Sequence, residues 1–347
     1  MSETEPDDPT RVTARDVKRV AIVLLIVLAF QVVFALSYIG AFHDPKPHDL
    51  PVGVVAPNEA IARAASAAIP NDGGFDVRLL TAEATAREQM LDQELYAALV
   101  VGATGDKLLV ASASSVDIAE GLQLRLAAVE KQANRTLTVE DVAPVDADDS
   151  RGLVPFYLLL SWVVGAYLGA SVISIVRGTH LSGRRGALLR IGTLAVYALV
   201  SGFVLTGLTA AVFGVVNDSY LTVALVGALV VFSVGLSAAA LQALLGLAGS
   251  SVVLLVFVAF GSPASGGPAA RPLLPSPWRT MGEWIPNGAG TDALRRAIYF
   301  SSNQLGPPVL TLLVWALVGA VVMLLVARPR RPGEHLETAL LAGVAAA

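Results

Sequence analysis

The residues that could carry out chemistry are few and widely separated. The 347-residue chain has no cysteine, and none of its lysines (Lys18, Lys46, Lys107 and Lys131) follows a glycine. A transporter that hydrolyses ATP needs a glycine-rich loop with a lysine, because this loop holds the nucleotide phosphates. The G-x-S-x-G and H-E-x-x-H patterns of hydrolases are also missing. We therefore predict that the protein is not an enzyme, that it carries no cofactor, and that any ATPase is another polypeptide.

Two groups of residues could in principle bind a metal ion. Asp146, Asp148 and Asp149 invite a calcium interpretation, but they lack the spaced oxygen ligands and the turn glycine of a calcium loop, so a solvated linker is favoured. His43 and His48 are each followed by an aspartate. The prolines between them favour an extended stalk, and no further ligand is evident. We predict no metal site.

The composition is that of a membrane protein. Hydrophobic residues make up 54% of the chain and charged residues only 15%, whereas a soluble domain has about 25% charged residues. The net charge is −4 and no run of Lys and Arg resembles a nucleic-acid footprint. Nucleic acid is therefore not an expected partner, and so much apolar surface requires lipid.

The charge-poor stretches predict several crossings of the membrane. A spanning helix must cross about 30 Å of hydrocarbon at about 1.5 Å per residue, which takes roughly 20 apolar residues. Leu221–Gly261 is uncharged and about twice that length, so we predict that it turns back at Gly246–Ser250. The other charge-poor stretches are Val20–Ile39, Val154–Val176, Ile191–Val216 and Val309–Ala327. The sequence thus predicts an α-helical polytopic membrane protein with about six spanning helices.

The basic residues predict the orientation of these spans. Clusters at Arg11–Arg19, Arg177–Arg190 and Arg328–Arg331 flank predicted spans, and such clusters favour the cytoplasmic side. An even number of crossings places all three clusters on that side. We expect a multi-pass protein of the plasma membrane with both termini, residues 1–19 and 328–347, in the cytoplasm.

Residues 41–153, between the first span (20–40) and the membrane domain (154–327), show the periodic pattern of a water-soluble domain. Acidic residues outnumber basic residues in it by eighteen to nine, which supports an extracytoplasmic location. The predicted elements are strand Leu50–Val55, helix Glu59–Ala68, strand Phe75–Leu80, helix Ala82–Tyr96, strands Ala97–Val101 and Lys107–Ser112, helix Val116–Asn134 and strand Leu137–Val145. This alternation predicts an inserted extracytoplasmic α/β domain.

A second external segment, residues 263–307, is rich in proline and glycine, which argues against a regular helix in its first part. Trp278, Met281 and Trp284 nevertheless share one helical face, so we predict a short interfacial or re-entrant element there. A helix is predicted over Thr291–Phe300, with Thr291 as its cap.

Polar residues within the predicted spans are rare. Gln31 and Gln242 are interpreted as hydrogen-bond partners between helices rather than as substrate ligands. Gly165 and Gly169 have the G-x-x-x-G spacing, for which packing within one bundle is the default interpretation and a dimer contact the alternative. The spans contain no ionisable residue for a proton relay, which disfavours a secondary transporter.

Two motifs frame the proline- and glycine-rich segment. They are Ser262–Gly267 (S-P-A-S-G-G) and Ile285–Gly290 (I-P-N-G-A-G), and the second leads into Asp292–Arg295 (D-A-L-R). With a first span, a domain that opens with a strand and five further spans, the chain resembles the ABC-2 type permeases, in particular an actinobacterial branch similar to the YhgE/Pip membrane proteins. The resemblance covers most of the chain, and the family pattern more often has a second proline at Asn287.

The resemblance implies a permease that forms a homodimer and pairs with a separate nucleotide-binding ATPase subunit to export a lipid, drug or polymer. The apolar bundle favours a lipophilic substrate, and membrane lipid is a further expected partner. The connection between the second and third spans would meet the ATPase, although Arg184 and Arg185 could equally bind anionic lipid head groups. The candidate coupling residues are Arg177, Arg184, Arg185 and Arg190. The candidate external gate consists of Pro263, Gly266, Gly267, Pro286, Gly288, Gly290 and Arg295.

A different class of function is also compatible with the sequence. The chain could be a non-transporting envelope protein whose external domain binds a surface or secretion partner. A neighbouring gene for a soluble protein with Walker motifs would favour the permease, and an isolated gene would favour the envelope role.

Overall fold

A computed structural model describes residues 14–67, 69, 73–179, 181 and 183–327. The predicted tail 328–347 and residues 1–13 of the predicted N-terminal segment lie outside this part. The elements in chain order are α1 (Ala14–Phe42), β1 (Leu50–Val55), α2 (Glu59–Ala67), β2 (Phe75–Leu80), α3 (Glu83–Leu91), β3 (Ala97–Val101), β4 (Gly105–Val110), α4 (Val116–Gln132), β5 (Thr136–Asp141), α5 (Val154–Arg177), α6 (Gly183–Phe213), α7 (Tyr220–Leu245), α8 (Leu247–Val253), α9 (Gly261–Ala264), α10 (Trp278–Trp284), α11 (Pro286–Tyr299) and α12 (Gly306–Val326).

Five helices of the described chain are long and apolar enough to cross a membrane, namely α1, α5, α6, α7 and α12. They correspond to five of the predicted spans. The largest difference is in α6, which begins at Gly183 rather than at Ile191 and so includes three of the arginines predicted to lie in a loop, Arg184, Arg185 and Arg190. The chain is therefore a mostly helical, multi-pass membrane protein.

The remaining predicted span is an interrupted helix. The predicted turn is present at Gly246, whose φ of 62° is readily adopted only by glycine. The chain then continues through α8, a π-helix at Leu254–Phe260 and α9. The apolar part, Ala248–Ala264, has 17 residues, which would extend about 26 Å as a regular helix and is short of a full crossing. A count of six spans therefore stays a prediction.

Helix α7 forms the centre of the helical bundle. In its most apolar window 83% of the residues are buried, against 22% to 33% in α5, α6 and α12. A helix that is apolar on all sides must be surrounded by other helices or lipid, and α7 is surrounded by helices. Glycines permit close contacts, because a Cβ on Gly319 of α12 would lie 2.9 Å from the backbone carbon of Leu236.

The α/β domain contains a five-stranded mixed sheet in the described residues, with the order β2-β1-β3-β4-β5. Strand β1 is parallel to both of its neighbours, with Val52 paired to Val77 and to Ala97. Strands β3 and β4 form an antiparallel hairpin, and β5 is parallel to β4. Side chains alternate between the faces, so that Leu109 packs with α3 and Leu108 packs with α4. The predicted α/β alternation is confirmed.

Several predicted boundaries in this domain were wrong. The helix predicted to reach Tyr96 ends at Leu91, because Asp92 is its C-cap and Gln93 has a left-handed φ of 61°. Strand β4 covers Gly105–Val110 and β5 covers Thr136–Asp141, both starting and ending earlier than predicted. These two strands pair residue for residue, from Gly105 with Thr136 to Val110 with Asp141, so the pairing of one fixes the length of the other.

Candidate functional site

The seven predicted gate residues all lie in a buried junction. This junction is formed where α9, α10 and α11 meet α5 and the α/β domain. All seven are buried, namely Pro263, Gly266, Gly267, Pro286, Gly288, Gly290 and Arg295. The two motifs are in contact, because the guanidinium group of Arg295 lies 3.4 Å from the carbonyl oxygen of Gly266.

In the first motif the glycines allow a tight turn after α9. Gly266 has a φ of 75°, a conformation that favours glycine. A Cβ on Gly267 would collide with the ring of Phe156 on α5, so only glycine lets the two segments approach this closely. Ser265 stabilises the turn by accepting a hydrogen bond from the Gly267 amide at 3.2 Å.

The second motif is helical, which corrects the prediction that its glycine and proline content would prevent a helix. Helix α11 begins at Pro286, and Thr291 lies inside it rather than at its cap. Pro286 occupies the first turn, where its missing amide donor is not needed. A Cβ on Gly288 would collide with the Gly282 carbonyl oxygen of α10, and a Cβ on Gly290 with Leu159 of α5. The glycines therefore serve packing between helices.

Asn287 is a site residue to which the sequence analysis assigned no role. It is fully buried, and its Nδ2 donates a hydrogen bond of 2.8 Å to the carbonyl oxygen of Phe257 in the π-helix. A π-helix changes the backbone pairing to i→i+5 and is frequent at functional sites. Proline, which the resemblance led us to expect at this position, has no side-chain donor for this contact. The available signal was an amide side chain within a stretch of otherwise apolar, proline and glycine residues.

The short predicted element after the first motif is confirmed as helix α10. Trp278 donates a hydrogen bond of 3.0 Å from Nε1 to Ser37 Oγ of α1. Trp284 is 71% exposed, and its carbonyl oxygen accepts a hydrogen bond of 2.7 Å from Trp315 of α12. Helix α10 therefore joins α1 to α12, and its position at a membrane interface stays a prediction.

Helix α11 is attached to the α/β domain by polar contacts. Arg296 donates a hydrogen bond of 3.1 Å to the carbonyl oxygen of Asp92, and Asn303 donates one of 2.8 Å to the Asp92 carboxylate. The ring of Phe300 packs into the apolar cluster on the α3 face of the sheet. The domain thus rests directly on the predicted gate.

Asp149 has a structural role at this junction. Its carboxylate accepts hydrogen bonds from the amides of Leu153 (2.9 Å) and Val154 (3.0 Å) at the start of α5, and from the Tyr299 hydroxyl. It thus satisfies amide groups that a helix start leaves unpaired. In the part of the chain that the structure describes, no group of three or more His, Asp or Glu side chains is arranged to hold a metal ion.

The candidate coupling residues lie at the opposite end of the bundle. Helix α5 starts beside Asp149 and ends at Arg177. Helix α6 returns to Gly214, where a Cβ would lie 3.3 Å from the Asp148 carboxylate. The helices are 24 and 31 residues long, so about 36 to 46 Å separate their two ends.

The four arginines at this end differ in environment. Arg177, Arg184 and Arg185 are exposed. Arg190 is only 2% exposed and donates a hydrogen bond of 2.6 Å to the carbonyl oxygen of Gly178, just after α5. The structure therefore separates Arg190, which holds the turn between α5 and α6, from the three arginines that are accessible.

Some polar side chains inside the bundle form contacts between helices. Gln242 of α7 bonds Ser174 (2.5 Å) and Ser171 (3.0 Å) of α5, which agrees with its predicted role. Gly169 accommodates the ring of Tyr197 on α6, whose hydroxyl donates a hydrogen bond of 3.0 Å to the Gly165 carbonyl oxygen. This contact fits packing within one bundle for the G-x-x-x-G pair.

Comparisons with known proteins give the family. Searches of curated proteins and of solved structures find no significant match. The profile of a protein family described as ABC-2 family transporter protein matches residues 18–328, which is most of the chain and includes the membrane helices, the α/β domain and both gate motifs. The chain therefore belongs to the ABC-2 transporter family, whose membrane components act as permeases and leave ATP hydrolysis to a partner subunit.

Proposed function

We propose that this chain is the permease subunit of an ABC-2 exporter, that its α/β domain faces the outside, and that its arginine end faces a separate ATPase in the cytoplasm. The observation that carries this proposal is the arrangement of charge along the bundle. The acidic α/β domain and the arginines Arg177, Arg184 and Arg185 occur at opposite ends of α5 and α6. Basic residues favour the cytoplasmic side, so the α/β domain at the other end of the bundle lies on the outer side of the membrane.

Arg184 and Arg185 are the residues that we assign to the ATPase contact. Both are exposed in the first turn of α6, where they are held by a helix rather than by a loop. Arg190 cannot contribute a surface contact, because it is buried against Gly178. A rigid, basic helix end is suited to transmit movement from a soluble subunit to the bundle.

The substrate that we propose is lipophilic. The interior of the bundle around α7 is lined by small apolar side chains with a few serines and one glutamine. The motif pair also supports placement in the branch similar to the YhgE/Pip proteins.

We further propose a homodimer that uses α1. Only 6% of its apolar window is buried, and the Gln31 side chain is exposed on this helix. A polar side chain in lipid is stabilised by a partner on another helix, and a second copy of the chain supplies one.

Thiol labelling in intact cells tests the orientation. Because the chain has no cysteine, single cysteines at Leu124 (75% exposed, on α4) and at Arg184 give a clean readout. We expect a membrane-impermeant maleimide to label Leu124→Cys in intact cells and Arg184→Cys only after permeabilisation. The reverse pattern would overturn the proposed orientation.

Charge reversal tests the coupling. The variant Arg184→Glu/Arg185→Glu should lose pull-down of a co-expressed candidate ATPase and stimulation of its hydrolysis. The control is Arg63→Glu/Arg78→Glu, two exposed arginines of the α/β domain, which should change neither. Unchanged pull-down and unchanged stimulation of hydrolysis in the first variant would refute the assignment. ATPase binding that is retained only in anionic liposomes would indicate that these arginines contact lipid instead.

A further inference from the structure

A polar cavity of about 540 Å³ lies between the α/β domain and helices α10 and α11. It adjoins a second cavity of about 50 Å³ at the start of α4, and Ser114 and Arg295 line both. The polar side chains of its lining include His48, Gln93, Ser114, Arg271, Arg295 and Arg296. Neither the gate motifs nor the proposed transport role accounts for this space.

The acidic side chains around the larger cavity are already engaged or exposed. Asp292 forms an ion pair with Arg271, and Asp49 forms one of 2.9 Å with Arg279. Glu283 is exposed to solvent. These carboxylates therefore neutralise two of the four arginines that line the cavity and leave the other two.

Arg295 and Arg296 have no carboxylate partner among the ion pairs of the described residues. Arg295 is 8% exposed and has only long contacts of 3.4 Å to the Gly266 carbonyl oxygen. Arg296 bonds backbone carbonyls such as that of Asp92. Burial raises the pKa of the nearby Tyr96 hydroxyl, while the charges of these arginines oppose that rise. The cavity lining thus carries four arginines against three carboxylates, while Asp149 and Asp92 act on Arg295 and Arg296 from outside the lining.

Unpartnered polar atoms are concentrated in the residues that line this cavity. In the described part of the chain, ten buried side-chain atoms lack a hydrogen-bond partner, and five of them belong to residues that line it. They are His48 Nδ1, Gln93 Nε2, Ser114 Oγ, Arg295 Nε and Arg296 Nε. The amide, hydroxyl and guanidinium groups are donors, and the histidine nitrogen is one in the appropriate tautomer. A buried donor without a partner indicates a missing acceptor.

We propose that this cavity binds a phosphate-class anion, held by Arg295, Arg296 and Ser114 between the α/β domain and α11. A phosphate group presents several acceptor oxygens, and the planar guanidinium group matches them with paired N–H donors. Ser114 comes from the end of the loop before α4, whereas the two arginines come from α11. The bound anion therefore fastens the α/β domain to the gate helix.

The phosphate can belong to a free anion or to the head group of an anionic lipid at the membrane surface. Full-length protein is tested in neutral detergent micelles with inorganic phosphate, and in phosphatidylcholine nanodiscs with or without phosphatidylglycerol. A ligand that binds the folded state raises the melting temperature in a saturable way. Stabilisation by inorganic phosphate assigns a free anion, and stabilisation by phosphatidylglycerol alone assigns a lipid head group. No stabilisation by either probe overturns the proposal.

Variants connect the effect to this cavity. Ser114→Ala removes a hydroxyl that has no partner, so the ligand-free melting temperature should not fall, whereas affinity should weaken by about tenfold through loss of one hydrogen bond to a charged group. Arg295→Lys keeps the charge but loses the paired donors and should weaken binding at least as much. Ser66→Ala, on α2, is the control and should bind as the unmodified protein does. Equal affinity in Ser114→Ala, Arg295→Lys and the control would refute the assignment.

Discussion

Replacement of Gly288 by alanine tests whether the gate helices are held together by glycine contacts. A Cβ at this position would overlap the Gly282 carbonyl oxygen and would lie 2.7 Å from the carbonyl carbon. Both groups are backbone, so no side-chain rotation relieves the contact. Helix α11 and α10 would have to move apart. Gly121 on α4 is the matched control, because a Cβ there meets nothing within 4 Å.

Two effects of opposite sign determine the result. Alanine is preferred over glycine in a helix by about 1 kcal/mol, and this term favours both variants. Overpacking of a closely packed site costs about 1–3 kcal/mol, and this term applies only to Gly288. We therefore expect Gly121→Ala to raise the free energy of unfolding by up to about 1 kcal/mol, and Gly288→Ala to lower it by up to about 2 kcal/mol.

The assay is unfolding of the purified full-length protein by SDS in mixed micelles, with helix content measured by circular dichroism. The difference between the two variants gives the packing term, since the helix preference cancels. Transport activity of the same samples should fall only in Gly288→Ala. Equal unfolding free energies for both variants would refute the close contact between α10 and α11.

Three further changes have defined outcomes. Gln242→Leu should lower the unfolding free energy in the same assay by about 1 kcal/mol, because the bond to Ser174 is lost. Arg190→Met should increase hydrogen exchange in the last turn of α5, measured by mass spectrometry, with no change in the α/β domain. Burial raises the pKa of Asp106, but the hydrogen bonds from Arg135, the Gly102 amide and Glu130 together outweigh this and hold that pKa below its usual value. The stability that the ionised Asp106 carboxylate contributes is therefore fully present above its usual pKa. It is lost as the pH falls through the lowered pKa of the folded state. Hydrogen exchange in β4 should rise below about pH 4, and Arg135→Gln should move this onset to higher pH.

The spans and most strands could be predicted because their signals are local. Strands β1, β2 and β3 have the predicted bounds, since short apolar runs between turn residues are typical of buried strands. The turn at Gly246 followed from the length of an uncharged stretch. These features depend on composition over a short window, which a single sequence displays directly.

The gate could be located from the sequence but not described. The glycines of Ile285–Gly290 weaken a helix locally, so a local rule argues against one, yet contacts with Gly282 and Leu159 make small residues necessary. Tertiary packing overrides propensity here. The π-helix at Leu254–Phe260 has no distinctive composition. The side chain that donates a hydrogen bond to its Phe257 carbonyl oxygen belongs to Asn287, 30 residues away in the chain, so no local pattern reveals the contact.

Arg190 shows the same limit for charged residues. It follows apolar residues at the edge of a predicted span, where an arginine is expected at the surface. In the structure α6 extends past that edge, so Arg190 faces Gly178 instead of solvent. Only the position of the preceding helix end distinguishes the two environments.

The attachment of α1 at one end affects how the protein meets bilayers of different thickness. Its contacts with the rest of the chain lie towards its C-terminal end, where Ser37 and Gly40 meet Trp278 and where α1 also meets the π-helix and α9, while residues 20–29 are exposed. The apolar part, Val20–Phe42, has 23 residues, or about 34 Å, slightly more than a typical hydrocarbon thickness. In a thinner membrane α1 can tilt about its fixed end while α7 and its neighbours keep their packing. Adaptation to lipid thickness is thus assigned to a helix outside the core of the bundle.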